Sequence, residues 1–479
     1  MMRKPRRTVK STGSLRQGVR LRKMAYQVLW AVERGADADT VLEHFRSQLP
    51  DPRDRDLLTE IVQGVLRRQA YLDHVLHVIA GNSYYDLDPS ARILLRVGLY
   101  QLLEMDRIPP YAAVHATVEV SRHISGVSTK LVNALLRRAV GLDGASVLPD
   151  RSQDLIRYLA IRYSFPQWVV RRWVEWWGAA KAEAVLEALQ ARPVLYIRRH
   201  LPVPDERFIE LLRRERLIVE PVPGVPDCFR VLEGRPQRTP SFRKGYFTIQ
   251  DAASQIVSLL AQVRPGETLL DACAAPGNKT TRFLQQMDYQ GTVVTADVSP
   301  VRLRETLENL RRWLQRKRLL DSNFRVLPLV ADMRTPPLRP GAFFDWGVVD
   351  APCSNLGVAH RHPELKWRLR PEDIPALGQL QRGLLAGVAP YVRPGGSILY
   401  AVCTLEREET YDVVQAFLET HPDFSLVPLD GPEWPACVEP FVTDRYFFIA
   451  WPDRFPADGF FGVVLRRRVS GRRNAVTTG

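Results

Sequence analysis

The sequence predicts a multidomain protein: an all-α bundle, then a small α+β module, then an α/β domain whose mostly parallel, doubly wound sheet ends in an antiparallel edge hairpin. Three observations carry this. Apolar residues recur at three- and four-residue spacing from Leu21 to Val140. Beyond Phe247, five short β-rich runs alternate with helical stretches, the pattern of a parallel sheet covered on both faces. The last two apolar runs have no helix between them.

The first helix is marked by Leu21, Met24, Ala25, Val28, Leu29 and Val32. Helical stretches follow at 40–49 and at 53–80, the latter carrying Leu57, Leu58, Ile61, Val62, Val65 and Leu66. Two more, at 92–105 and 112–124, are separated by the breaker Pro109-Pro110, and 130–140 closes the set. The bundle is assigned to 21–145. Residues 151–189 are again helical, with Trp168, Trp173, Trp176 and Trp177 beside Arg171 and Arg172. Arginine and aromatics together can stack on bases, but tryptophan at helical spacing favours a core. The runs VLYIRR and CFRVLE, with one helix at 206–215, make the small α+β module, and 150–245 is assigned to helical linker plus module. The α/β domain spans 246–468. Its strands are expected at 268–272, 292–298, 324–330, 346–351 and 397–403, and its edge hairpin at 446–451 and 459–467.

The remaining ends, 1–20 and 469–479, are expected to be basic tails. Residues 1–23 hold nine Lys/Arg and residues 466–479 five, with no acid in either stretch, and together these account for the formal charge of +14. Such ends suit a polyanion, gripped through phosphate contacts with counterion release. Residues 1–20 carry too few apolar side chains for an amphipathic transit helix. The five cysteines are widely spaced and form no CxxC pair. That argues against a zinc site or a disulfide framework and for a reducing compartment. No apolar run reaches the ~18 residues of a membrane span. The expectation is a cytoplasmic monomer without metal.

Ligands of such sheets bind outside the carboxyl ends of the strands. Here those ends carry Asp271, then Asp297, Asp332, Asp350 with Pro352-Cys353 behind it, and Cys403-Thr404. Asp271 runs into CAAPGNKT (273–280), which opens a helix. A phosphate-binding G-x-x-x-x-G-K-[ST] loop fails at both glycines, since Cys273 and Asn278 stand there. Small residues still admit a ligand close to the backbone. Asp297, at the second strand end, is placed to accept hydrogen bonds from ribose hydroxyls, or alternatively to cap the helix that starts at Pro300. The combination points to a nucleoside cofactor without a pyrophosphate. Cys353 and Cys403 are equal candidates for a thiolate nucleophile. Cys228 and Cys437 have no such context.

With these strings in view, the chain resembles the Nol1/Nop2/Sun family of RNA cytosine-5 methyltransferases. The matching segments are FTIQDAASQ (247–255), DACAAPGNKT (271–280), ADVSPVRL (296–303), DAPCSNLGVAHRHPELKW (350–367), YAVCTLEREE (400–409) and DGFF (458–461). The helical segments 53–73, 96–119 and 129–138 are similar to a NusB-type RNA-binding domain, a fusion resembling bacterial enzymes of small-subunit ribosomal RNA. The resemblance implies a Rossmann-like class I methyltransferase domain, S-adenosylmethionine as methyl donor and RNA, above all 16S ribosomal RNA, as partner. It implies Cys403 as nucleophile at carbon 6 of cytosine and Cys353 as the group that assists release. It implies that Cys273, Ala274, Ala275, Pro276, Gly277, Asn278 and Lys279 line the cofactor. In the same way Asp297 would hold its ribose and Asp332 would lie near its adenine. Asp350 would face both cofactor and base, donating to N3 if protonated, with Lys279 beside it.

Two positions depart from the family pattern: Asn278, where a second glycine is usual, and Val402 before Cys403, where threonine is usual. They motivate one competing reading, an RNA-binding ribosome-assembly factor with impaired catalysis; a further reading keeps the chemistry but moves it to transfer RNA, and the NusB-like domain weighs against that. Binding of S-adenosylmethionine separates the first from an active enzyme.

Overall fold

The computed structural model describes residues 12–314, 324–339, 341 and 343–469. They divide into two compact units. One holds the chain up to Ala191 together with Ala359–Arg368. The other holds Arg192–Val358 and the chain from Leu369 onward.

The first unit is helical. Thr12–Glu33, Ala38–Ser47, Pro52–Arg67, Gln69–Ala80, Pro89–Leu103, Pro110–Ser121 and Thr129–Ala139 surround a core of Leu, Val and Ile side chains, among them Leu58, Ile61, Leu72, Leu94 and Leu136. Side chains of Asp37, Asp51, Asp88 and Ser128 accept from the free N–H groups at four helix starts. The basic tail expected over 1–20 is helical from Thr12. Val19 packs on the core and Gln17 Nε2 donates to Asp54 Oδ2 at 2.7 Å, so these residues gain partners that a tail lacks. The ends of both tails, 1–11 and 470–479, lie outside the described residues. The stretch 53–80 is two helices, not one. Arg68 sits at φ −101°, ψ 13°, with its guanidinium held by Glu104 and by the Arg162 carbonyl. The helices Leu155–Arg162, Gln167–Trp177 and Ala179–Gln190, read above as a linker to the small module, pack with this unit. Ser164 Oγ accepts from the Ala70 N–H, and Phe165 meets Trp173 at 5.6 Å. Trp173 is core, whereas Trp176 lies under the Arg172 guanidinium at 4.4 Å.

The second unit contains two sheets. The small one has β1 (Tyr196–Arg199), β2 (Ile218–Pro221), β3 (Cys228–Glu233) and β4 (Phe247–Ile249) in the order β2-β3-β1-β4, all antiparallel. The helix Asp205–Arg214 covers it with Phe208 and Leu212. The large sheet has β5 (Thr268–Asp271), β6 (Gly291–Asp297), β7 (Phe324–Val330), β8 (Phe344–Asp350), β9 (Val392–Val402), β10 (Phe424–Leu426), β11 (Val442–Thr443), β12 (Phe447–Ala450) and β13 (Phe460–Arg467). Its order is β11-β12-β13-β9-β8-β5-β6-β7, with β10 also on β13. The five strands from β9 to β7 are parallel, and β10 to β13 are antiparallel. The expected Rossmann-like sheet with its edge hairpin is present, and β10 and β11 enlarge that edge. Successive strands run outward from β5 through β6 to β7, then return to β8 on the other side of β5. The carboxyl ends of β5 and β8 therefore flank the topological switch point, where such sheets bind ligands.

Candidate active site

β5 delivers Asp271 to this switch point. Its Oδ2 accepts from the Thr280 hydroxyl at 2.6 Å, while its Oδ1 is buried without a hydrogen-bond partner among the described residues. Burial pushes the carboxyl up to about 7, against the Thr280 hydrogen bond and with support from nearby Asp350. The chain then turns through Cys273–Gly277. Ala274 N–H bonds the Ala296 carbonyl of β6 and Gly277 N–H bonds the Ala274 carbonyl, closing the turn. Gly277 has φ +95°, and a Cβ there would stand 2.9 Å from Thr306 Cγ2, so glycine is required on both counts. Ala274 and Ala275 are buried, and the exposed Pro276 accepts from Asn309 Nδ2 at 2.8 Å. Burial and the surrounding aspartates push the Cys273 thiol up, which keeps it protonated.

The helix Asn278–Gln286 starts at the end of this turn. Lys279 Nζ reaches Asp350 Oδ2 at 2.6 Å and lies 4.8 Å from the centre of the Phe460 ring. Asp297 ends β6 and is 3% exposed. Its Oδ1 accepts from the Ser299 N–H at 2.8 Å, while Oδ2 has only Arg302 at 3.9 Å. Asp332, just beyond β7, is held by Arg334 at 2.6 Å, which together with the Arg334 N–H lowers its carboxyl.

These residues can be tested for fit to a methyl donor of the sulfonium type. Acidic residues stand at or just beyond the ends of β5, β6, β7 and β8, a donor set for a cation. The orphaned Asp271 Oδ1 can accept from an ammonium, and Asp297 Oδ2, with Arg302 no nearer than 3.9 Å, from a hydroxyl. The loop's one cation, Lys279, is already paired with Asp350, so the loop is not built for phosphate. The residues fit S-adenosylmethionine.

β8 and β9 are parallel neighbours with Asp350 opposite Ala401. The residues just past their ends therefore converge. Cys353 Sγ and Cys403 Sγ are 3.1 Å apart. Asn355 is the third member: its Oδ1 accepts from the Cys403 thiol at 3.1 Å, and its Nδ2 donates to the Cys353 carbonyl at 2.9 Å. It sits at φ +59°, a left-handed conformation that Asn tolerates better than most residues. The hydrogen bond with Cys403, then burial, push the Cys353 thiol well up. Cys353 is buried and Cys403 is partly exposed.

A buried network braces the two loops from behind. Glu409 Oε2 accepts from the Ser354 N–H and from Gln381 Nε2, both at 2.9 Å, and Gln381 Nε2 also donates to the Pro352 carbonyl. The Ser354 and Thr404 hydroxyls are 2.8 Å apart. Burial raises the Glu409 carboxyl. The sequence reading passed over Asn355, Gln381 and Glu409. Asn355 and Glu409 lie inside quoted motifs, but Gln381 comes from a distant helix and left no local signal. Val402 is fully buried opposite Phe461 of β13. Cys228 and Cys437 are buried in the core.

Comparison with known proteins gives three matches along the chain. Residues 19–140 match the NusB family. Residues 165–237 match the ferredoxin-like domain of RsmF/B-like methyltransferases. Residues 258–466 match the 16S rRNA methyltransferase RsmB/F model. A probable ribosomal RNA small subunit methyltransferase B of Synechocystis is 31% identical over 93% of this chain and 99% of its own length. The ribosomal RNA small subunit methyltransferase B of Cronobacter sakazakii is 35% identical over 86% of this chain and 93% of its own. The crystal structure of PH0851 superposes with a TM-score of 0.76 at 27% identity, covering 94% of this chain and 98% of that one. Similarity of this degree over nearly the full length of each relative places the chain in the RsmB/F family of 16S rRNA methyltransferases.

Proposed function

We propose that this S-adenosylmethionine-dependent RNA methyltransferase acts on carbon 5 of a cytosine in 16S ribosomal RNA, through a covalent bond from Cys403 to carbon 6. The observation that carries the reading is the pair of thiols 3.1 Å apart at adjacent strand ends, beside the Lys279–Asp350 pair. Carbon 5 of cytosine is too weak a nucleophile to take a methyl group unaided. Cys403 gives its proton to solvent and its sulfur adds to carbon 6, while Asp350, once it takes up a proton in place of its pairing with Lys279, donates to N3. The ring becomes an enamine nucleophilic at carbon 5. Residues 273–279 and Asp297 would hold S-adenosylmethionine, with Asp332 on the adenine side; when bound, this cofactor would supply the electrophilic methyl. The proton on carbon 5 then passes to water, the N3 proton returns to Asp350, the Cys403 sulfur departs as the thiolate and aromaticity returns. Cys353 assists this release. Burial and the neighbouring sulfur hold Cys353 as a thiol, which favours Cys403 for the attack. Lys279 keeps Asp350 in place. A paired target base would have to leave its stack first.

The test is the Cys353→Ala variant incubated with S-adenosylmethionine and 16S ribosomal RNA. It is expected to accumulate an RNA–protein adduct that survives denaturing electrophoresis, and Cys403→Ala to form no adduct and no product. Full methyl transfer by Cys403→Ala would refute the assignment. Bisulfite sequencing of the RNA identifies the modified cytosine.

A further inference from the structure

The departure at Asn278 has a structural counterpart. β1 and β4 of the small sheet pair with Arg198 opposite Thr248, so both side chains leave the same face. Both reach the start of the helix Asn278–Gln286. Thr248 Oγ1 donates to Asn278 Oδ1 at 3.2 Å, and Asn278 Nδ2 donates to the Ile249 carbonyl at 3.3 Å. Arg198 Nη2 donates to the Asn278 carbonyl at 3.1 Å and to the Thr281 hydroxyl, which itself donates to that carbonyl. One turn on, Arg282 Nη1 and Gln285 Nε2 both reach Asp227 Oδ2 of the small module, at 3.2 and 3.1 Å. A glycine at 278 makes none of the side-chain bonds.

Arg198 makes the arrangement costly. It is 0% exposed, no carboxylate lies within 4 Å, and its Nε and Nη1 have no partner among the described residues. A cation so placed is unfavourable relative to a well-packed apolar side chain. Such a group contributes little to stability, and its visible effect is to fix where the helix begins. That start lies between Gly277, whose left-handed turn closes the loop, and Lys279, whose ammonium holds Asp350.

We propose that Asn278, with Thr248 and Arg198, is a positioning residue through which the small module sets the geometry of the methyl-donor loop. The small module is then part of the scaffold of the donor site. This rests on the reading of 273–279 as the donor loop.

Calorimetric titration of the full chain with S-adenosylmethionine, well below the melting temperature, tests the proposal. Asn278→Gly and Thr248→Val are each expected to weaken donor affinity about five- to tenfold, as loss of one or two hydrogen bonds implies. The double variant is expected to match Asn278→Gly to within about twofold, because the two residues share one interaction. Thr248→Ser, which keeps the hydroxyl, is expected to restore affinity, and the KM for RNA to stay constant. Donor affinity unchanged in both single variants, or losses that multiply in the double variant, would overturn the staple. A wild-type chain that binds no S-adenosylmethionine would instead overturn the donor-loop reading beneath it.

Discussion

At the scale of single residues, the proposed donor site is a cluster of carboxylates in unequal environments, and Asp271 is the most displaced. Its carboxyl, pushed up to about 7 by burial, holds a proton that the unfolded chain releases near the ordinary value of about 3.9. The sign follows. The folded state binds more protons between those two values, so this group's contribution to stability falls as pH rises from about 4 through 7. A cationic donor that pairs with the ionised form would reverse the preference. Affinity for S-adenosylmethionine is therefore expected to climb close to tenfold per pH unit, approaching 7 from below, and to level off above it. Asp271→Asn should bind more weakly at pH 8 and show a flat profile across the window. A wild-type profile as flat as the variant's, measured by calorimetry between pH 5.5 and 8.5, would mean that Asp271 does not meet the donor's charge. The thiols offer a contrast. From spacing alone Cys353 and Cys403 were equivalent. Their difference arises from burial and from Asn355, both properties of packing that no linear motif carries.

At the scale of elements, the strongest patterns were the most readable. The five parallel strands form continuous apolar runs, and each appears within a few residues of its expected place. Strands β10 and β11, three and two residues long, are too short for any period to register. β2 and β4 likewise come from stretches whose apolar pattern does not distinguish strand from loop. The division at Arg68 escaped for a different reason: it uses neither proline nor glycine, and depends on Glu104 and Arg162 from elsewhere in the unit. The segment Ala359–Arg368 was read as part of the methyltransferase domain from its motif, yet it belongs to the helical unit. There Trp367 Nε1 donates to the Leu66 carbonyl at 3.2 Å, and the buried Lys366 lies 4.1 Å from the centre of the Phe165 ring. Helix packing in this unit also explains a glycine. Gly64 lies in the last turn of the helix Pro52–Arg67, and glycine within a helix costs up to roughly 1 kcal/mol against alanine by propensity alone. A Cβ there would stand inside the Tyr100 ring, whose hydroxyl is fastened to Glu60 at 2.7 Å. Packing therefore outweighs propensity. Gly64→Ala is expected to destabilise by about 1–3 kcal/mol, the range for overpacking, measured by denaturant melts. Stabilisation by the alanine would show that Tyr100 swings away freely.

At the scale of the whole molecule, charge is distributed to suit a nucleic-acid substrate. Residues 24–465 are formally neutral, and the excess of fourteen positive charges sits at the two ends. The first eleven residues lie outside the described structure and carry Arg3, Lys4, Arg6, Arg7 and Lys10 without a compensating acid. No residue proposed for catalysis lies in that segment. Its charges suit contacts with RNA phosphates, and such contacts are reported by the salt dependence of binding, not by the rate of methyl transfer. Replacing those five residues by glutamine removes up to five phosphate contacts. The slope of log affinity for 16S ribosomal RNA against log salt should then fall in magnitude by up to about 3.5 if the contacted RNA is single-stranded. The kcat at saturating RNA should be unchanged. Filter binding between 50 and 300 mM salt would measure this. A slope equal to that of the unaltered chain would mean that the segment stays free of the RNA, and that the basic residues of the folded units carry the association alone. A fall in kcat at saturation would mean instead that these charges orient the target and do more than hold it. Steering and positioning thus make opposite forecasts for one variant, because counterion release depends on how many phosphates are met, whereas turnover depends on where a single base is held.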